Sequence, residues 1–191
     1  MVEVLGSRLA FENRWVRLEE DRLRLGDGLE IDYVYIRRPR YVIVAAIEDG
    51  AIWMVEQYRH PLGARLWELP MGVAPDAATI EEAAATELRE ETGLRAGRFE
   101  YVAEIAPAPA LLAQTGALFL ATGLTLGETA REATEQDLVA KPWPIPDLYD
   151  AALAGRDLDA ATLAALALSR MKRRKRPRLR LRRGRAQPAF S

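Results

Sequence analysis

The amino-acid sequence predicts an α+β fold, a mixed sheet layered with helices. Three observations carry this reading. Segments with a period near two fill most of the chain between Trp15 and Gln57, a single capped amphipathic helix follows Thr79, and Ala/Leu-rich helical segments follow the break at Pro144 and Pro146.

Trp15 to Leu25 and Leu29 to Ile36 read as two strands joined by a turn at Gly26-Asp27-Gly28. Tyr41 to Glu48 and Ala51 to Gln57 form a second hairpin around Asp49-Gly50, a type I′ turn signal. Trp67-Glu68-Leu69-Pro70 reads as a short edge piece, because Pro70 has no N–H to give to a ladder. Then the period changes. Thr79-Ile80-Glu81-Glu82 fits a capping box, good helix formers run to Thr92, and Gly93 suits the residue just past a helix end. Phe99 to Ile105, Ala117 to Thr122 and Leu138 to Trp143 read as further strands, and Ile145 to Ala154 and Asp159 to Leu168 as amphipathic helices. There is no internal repeat.

The 191 residues, 49% hydrophobic and 29% charged, suffice to bury a core. The chain has no Cys and one His, His60, which excludes disulfides, cysteine nucleophiles and metal sites built on thiolates or several imidazoles. The longest apolar run, Tyr41 to Ile47, falls far short of the roughly 20 residues of a membrane span. Met1 to Leu9 has no basic stretch followed by an apolar run, so no secretory leader is expected, and the expected location is cytoplasmic. The net charge of −1 hides an asymmetry: eleven of the 27 basic residues lie between Arg170 and Arg185, and no acidic residue follows Asp159. A body of residues 1–169 with 16 basic and 28 acidic groups thus precedes a cationic tail, read as a mobile extension of the last helix.

The helix after Thr79 carries a pattern that structure alone does not need. With Ile80 at zero and about 100° per residue, Ala84 falls near 40° and Leu88 near 80°, but Glu87 falls near 340° and Glu91 near 20°, inside the apolar stripe. Glu90 sits on its edge, while Glu82 and Arg89 fall on the opposite, solvated side. A desolvated carboxylate is costly unless paired or bound to a cation. These three also lie in the last two turns, where the helix dipole disfavours anions. Spaced i, i+3 and i+4, they form an oxygen cage suited to hard divalent cations such as Mg²⁺ or Mn²⁺, which points to phosphate chemistry rather than redox chemistry.

Gly72, followed by Glu87-Leu88-Arg89-Glu90-Glu91-Thr92-Gly93-Leu94, resembles the Nudix box, G-x5-E-x7-R-E-U-x-E-E-x-G-U, with U a bulky aliphatic. The resemblance runs roughly from Arg14 to Ser169. It implies a Nudix-type α/β/α sandwich at 39–169, an N-terminal antiparallel β extension at 1–38 for dimerisation and substrate cover, and a basic tail at 170–191. It also implies Glu87, Glu90 and Glu91 as metal ligands. Two positions depart from the box: its first Glu is Ala78, and the Arg that braces the carboxylates is Thr86. The departures put turnover in more doubt than metal binding.

Gln57-Tyr58-Arg59-His60-Pro61, the following Glu68-Leu69-Pro70, and Ala117 to Leu124 resemble the branch that contains the ADP-ribose pyrophosphatases. Pro107 and Pro109 stand near the position of that branch's proline, slightly short of its register. The branch implies a homodimer in which N-terminal aromatics, here Trp15 and Tyr33, sandwich the adenine. Arg38 and Arg59 would hold the phosphates. Without the resemblance, both aromatics would read as core and Arg59 as a surface residue. His60 has no assigned role, and Trp53 and Trp67 read as packing.

The resemblance further implies metal-assisted hydrolysis of a nucleoside diphosphate sugar, most of all ADP-ribose, with Glu87 and Glu91 at the reacting centre and a loop carboxylate as base. The loop from Gly127 to Asp137 offers Glu128, Glu132, Glu135 and Asp137; Glu135 is the choice, in the stretch Glu135-Gln136-Asp137-Leu138, while Gln114 stands where an acid is usual. The alternative is a degenerate Nudix domain that binds a nucleotide or nucleic acid with little turnover, a reading that Ala78, Thr86 and the tail favour. The tail implies non-specific contact with polyanions such as nucleic acid, without base stacking because it has no aromatic.

Overall fold

A computed structural model of the chain describes residues 1–74, 79–128, 137–155 and 158–175. In chain order the strands are β1 (Glu3–Glu12), β2 (Arg17–Arg24), β3 (Glu30–Arg37), β4 (Tyr41–Glu48), β5 (Ala51–Arg59), β6 (Ala64–Glu68), β7 (Met71–Val73), β8 (Leu94–Ile105), β9 (Leu112–Ala113), β10 (Gly116–Leu126) and β11 (Val139–Pro144). The helices are α1 (Ile80–Thr92), α2 (Ile145–Leu153) and α3 (Ala160–Lys175).

Two sheets result. The first has the order β1-β2-β3-β9 and the second β11-β5-β4-β10-β8, with β6 on β5 and β7 on β4. The second sheet is mixed, since β10 runs parallel to β4 and antiparallel to β8. Its centre is β4, buried along nearly its whole length. Tyr41, Ile43, Ala45 and Ile47 face a core closed by Leu148 of α2 and Ala161, Ala165 and Leu166 of α3. Val42, Val44 and Ala46 face the opposite core, closed by Ala83, Ala84 and Leu88 of α1. Period-two alternation with both faces covered explains why Tyr41 to Ile47 reads as one continuous apolar run. The expected α+β layering is what forms.

Local expectations hold where the signal is local. Asp49 and Gly50 both have positive φ, 48° and 81°, as the type I′ turn requires. Pro142 and Pro144 sit in β11, an edge strand, where a missing N–H is tolerated. Trp67 packs on Trp143 with ring centroids 5.3 Å apart, and the Lys141 ammonium lies over both rings.

The N-terminal extension differs from the two-strand expectation: β1 adds a third strand. Its residues are almost all exposed, so no burial pattern marked it. Pairing with β2 makes it a strand. Arg8 stands opposite Glu20 and donates to it through Nε at 2.8 Å and Nη2 at 2.7 Å. On the neighbouring pair, Arg24 stands opposite Glu30 and binds it. Exposed pairs of this kind contribute only about 0–1 kcal/mol each, so their role is to fix register. The edge piece expected at Trp67–Pro70 is two short strands, β6 and β7, with Pro70 between them; the Pro70 carbonyl accepts from Val44 N at 2.9 Å.

Candidate active site

The site begins with the ends of α1. The Glu82 N–H donates to Thr79 Oγ1 at 3.2 Å, and the Thr79 N–H donates back to Glu82 Oε2 at 2.8 Å, a complete capping box. At the other end Gly93 takes φ 75° and its N–H donates to Arg89 O. Both ends being fixed, the rotation of the helix is set by Ala83, Ala84 and Leu88 against β4 and β10.

That rotation brings Glu87 and Glu91 against β7, as the wheel predicts. Glu91 is only 3% exposed and accepts the Met71 N–H at Oε2, 3.1 Å away. Glu87 is half-buried, and its carboxylate occupies the space above Gly72 that a Cβ would fill. Glu90 is half-buried beside them, 3.6 Å from Arg89 Nη2. Glu82 is exposed as expected, but Arg89 is half-buried rather than on an open face.

Among the described residues no three acidic or His side chains close on a single point. The arrangement is open: two carboxylates flank the Met71–Gly72 backbone and a third stands next to them. This donor set fits a small hard cation, which takes one or two carboxylates and keeps several waters.

Behind Met71 lies an ion pair that the sequence did not single out. Arg59, at the end of β5, donates to Glu68 through Nε at 2.8 Å and Nη2 at 2.5 Å, and Glu68 is 3% exposed. The hydrogen-bonded Glu68 carboxylate holds the Arg59 guanidinium above its ordinary pKa, with the Glu91 and Asp159 carboxylates adding to the attraction. Asp159 sits at the start of α3 and accepts from Ala161 N at 2.9 Å and Thr162 N at 3.1 Å. Burial raises its carboxyl pKa, and the nearby Glu68 charge adds to the rise.

Of the two departures from the box, Thr86 is exposed on α1, and Ala78 lies outside the described residues. So do Glu132 and Glu135, the latter expected to be the base. The ends of their loop are described. The Gly127 N–H donates to Gly93 O at 2.8 Å, which starts the loop two residues beyond Glu91. At its far end Asp137 is paired with Arg65 at 2.8 Å, so that carboxylate is committed. Glu128 is exposed.

The expected substrate contacts separate into two places. Trp15 and Arg38 line one open groove of about 440 Å³ together with Asn13, Arg14, Arg17 and Arg37. Trp15 is 62% exposed, with the Arg14 guanidinium 4.6 Å from its ring centroid. Asn13 Oδ1 holds the turn by accepting the Trp15 and Val16 N–H groups. Arg38 also lines an adjoining groove with Arg40, Pro109 and Gln114. Gln114 donates to the Pro39 carbonyl, which explains a use for an amide at that position. Tyr33 is elsewhere: its hydroxyl donates to Ala110 O at 2.7 Å and its ring lies 6.5 Å from that of Tyr35. Arg59 is in neither groove but beside Glu68. His60 is exposed in a short 3₁₀ turn. The basic residues Arg176 to Arg185 lie outside the described residues, and α3 carries the first part of the cationic segment.

The NUDIX domain family matches residues 37–150 of the chain. The chain is 32% identical over 167 residues to an ADP-ribose pyrophosphatase of Mycobacterium tuberculosis, covering 86% of this chain and 81% of that protein. It is 33% identical over 130 residues to a methanol dehydrogenase activator of Bacillus methanolicus, covering 68% and 70%. It is 30% identical over 138 residues to an ADP-ribose pyrophosphatase of Bacillus subtilis, covering 72% and 75%. In fold it is similar to the crystal structure of an ADP compounds hydrolase, with a TM-score of 0.79, 21% identity, and coverage of 92% of this chain and 97% of that one.

Proposed function

We propose, from the premise that this chain belongs to the NUDIX domain family and is a pyrophosphohydrolase of its ADP-ribose pyrophosphatase-like branch, that it hydrolyses the diphosphate of a nucleoside diphosphate sugar, ADP-ribose first among them. The observation that carries the reading is the pair Glu91 and Glu87 set against the Met71–Gly72 backbone, one carboxylate buried and hydrogen-bonded, the other lying over a glycine. Carboxylate oxygens gathered at i and i+4 on one helix face suit a hard divalent cation that keeps several waters.

In this reading Glu87, Glu90 and Glu91 hold Mg²⁺ or Mn²⁺. When bound, such an ion stabilises charge on the phosphate oxygens as a Lewis acid. The chain does the rest. Trp15 offers an exposed indole face for the base, and the cationic groove around Arg38 receives the diphosphate. Arg59 keeps part of its guanidinium, 40% exposed, for a phosphate oxygen while Glu68 orients it. Glu135 takes the proton of the attacking water. A P–O bond forms to the water oxygen, the bridging P–O bond breaks, and a nucleoside monophosphate and a sugar phosphate leave.

The protein acts as a homodimer in the cytoplasm. The dimer reading is supported by the exposed apolar side chains Val4, Leu9, Phe11 and Val34 on the N-terminal sheet. Sedimentation that stays monomeric at all concentrations would remove it. No helix among the described residues is long and apolar enough to cross a membrane. The tail adds a non-specific affinity for polyanions.

The deciding experiment is an assay of a panel of nucleoside diphosphate sugars with Mg²⁺ and with chelator. The expected result is Mg²⁺-dependent release of AMP and ribose phosphate from ADP-ribose in preference to other sugars. Equal rates with chelator would overturn the metal reading, and no preference for ADP-ribose would overturn the substrate.

A further inference from the structure

Leu69 is fully buried, so its backbone N–H must find an acceptor inside the protein. The acceptor is the Thr162 hydroxyl of α3, 3.0 Å away and 93 residues further along the chain. Thr162 is 0% exposed. The Asp159 carboxylate caps the same turn of α3 by accepting from Ala161 N and Thr162 N.

The segment from Glu68 to Met71 is thereby pinned at every residue. Arg59 holds the Glu68 side chain, Thr162 takes the Leu69 N–H, Val44 N donates to the Pro70 carbonyl, and the Met71 N–H holds Glu91 Oε2. Pro70 has no N–H, so the Leu69 contact is the donor bond nearest to Met71 on its N-terminal side. Only two peptide units separate the Thr162 contact from the Glu91 contact. A shift of Leu69 in search of another acceptor moves Met71 with it.

We infer that Thr162 is a positioning residue for Glu91, acting through Leu69 and Met71, so that α3 supports the carboxylates of α1 from across the sheet. In this chain the support matters more because Thr86 stands where the box has its bracing Arg. The inference rests on the reading of Glu87, Glu90 and Glu91 as cation ligands.

The test is direct Mn²⁺ binding to the full chain without substrate, read from the electron paramagnetic resonance of free Mn²⁺, with folding checked by circular dichroism. Thr162→Val keeps the volume and removes the hydroxyl. It should weaken Mn²⁺ binding by about 10- to 100-fold, the usual effect of losing a group that orients a ligand. Thr162→Ser should restore it. KM for the substrate at saturating Mn²⁺ should not move. A folded Thr162→Val with wild-type Mn²⁺ affinity overturns the inference, even if its melting temperature drops, since that is the signature of a merely structural role. If Thr162→Val does not fold, Thr162→Cys, whose sulfur is a weak acceptor, carries the test alone: weakened binding supports the inference and wild-type binding overturns it. A wild-type protein that binds no Mn²⁺ instead overturns the cation reading of α1.

Discussion

The Glu87 carboxylate lies where a Cβ on Gly72 would be, so the box glycine and the box glutamate, one on β7 and one on α1, occupy each other's space. The glycine is required by this close approach, and its φ is not in the left-handed region.

Gly72→Ala should therefore act on the site more than on the fold. The new methyl meets the far end of a flexible side chain, which can swing away at little cost in stability. A misplacement of about 1 Å costs on the order of 100-fold in rate. The expected outcome is a similar melting temperature with kcat down about 100-fold. Wild-type kcat in Gly72→Ala would show that the Glu87 position is unimportant.

Glu91→Gln and Glu90→Gln each remove one charge at nearly constant volume. Both should abolish Mg²⁺-dependent hydrolysis while leaving the circular dichroism unchanged. Relief of repulsion among the three carboxylates should also keep the metal-free protein at least as stable as wild type. Turnover at the wild-type rate in both variants would remove these residues from the reaction.

Thr86→Arg returns to the box the residue it lacks. Thr86 is exposed, so the longer side chain has room. Restored bracing should raise kcat/KM by about 10- to 100-fold. An unchanged value would mean that Arg59 and the α3 contact already hold the carboxylates as well as a box Arg would.

Glu19, paired with Arg17 and Arg37 of the Trp15 groove, offers a pH test of stability. Hydrogen bonds from Arg37 first, and then from Tyr35 and Arg17, pull its carboxyl down from 4.5 to about 2. Between these values the unfolded chain binds the proton and the folded chain does not, so stability rises with pH. The contribution is fully present above pH 4.5 and is lost as pH falls towards 2. Urea midpoints of Glu19→Gln should depend less on pH in that window than those of wild type; parallel curves would refute the pairing.

Truncation after Ser169 removes the cationic segment but keeps Leu166, the last α3 residue of the buried core. Hydrolysis of a small nucleotide sugar should stay near wild type, while salt-sensitive binding to RNA should vanish. A loss of turnover at saturating substrate would make the tail part of the active site.

The sequence by itself determined whatever is decided within a few residues. Thr79, Glu82 and Gly93 set both ends of α1 because a cap is a bond between near neighbours. Asp49-Gly50 set the central hairpin, and the wheel placed Glu91 on the buried side of α1 because the helix repeat is fixed. Tertiary structure alone decided the rest. β1 is a strand only because β2 pairs with it, and its exposed side chains leave no pattern to read. Trp15 and Arg38 share a groove while Tyr33 turns to Ala110, a distinction that depends on how the first sheet folds back. The bond from Leu69 to Thr162 joins elements 93 residues apart that meet only once the sheet is closed between its helices. A buried polar group must find a partner wherever packing brings one, and that partner's place in the chain is set by topology, not by proximity in sequence.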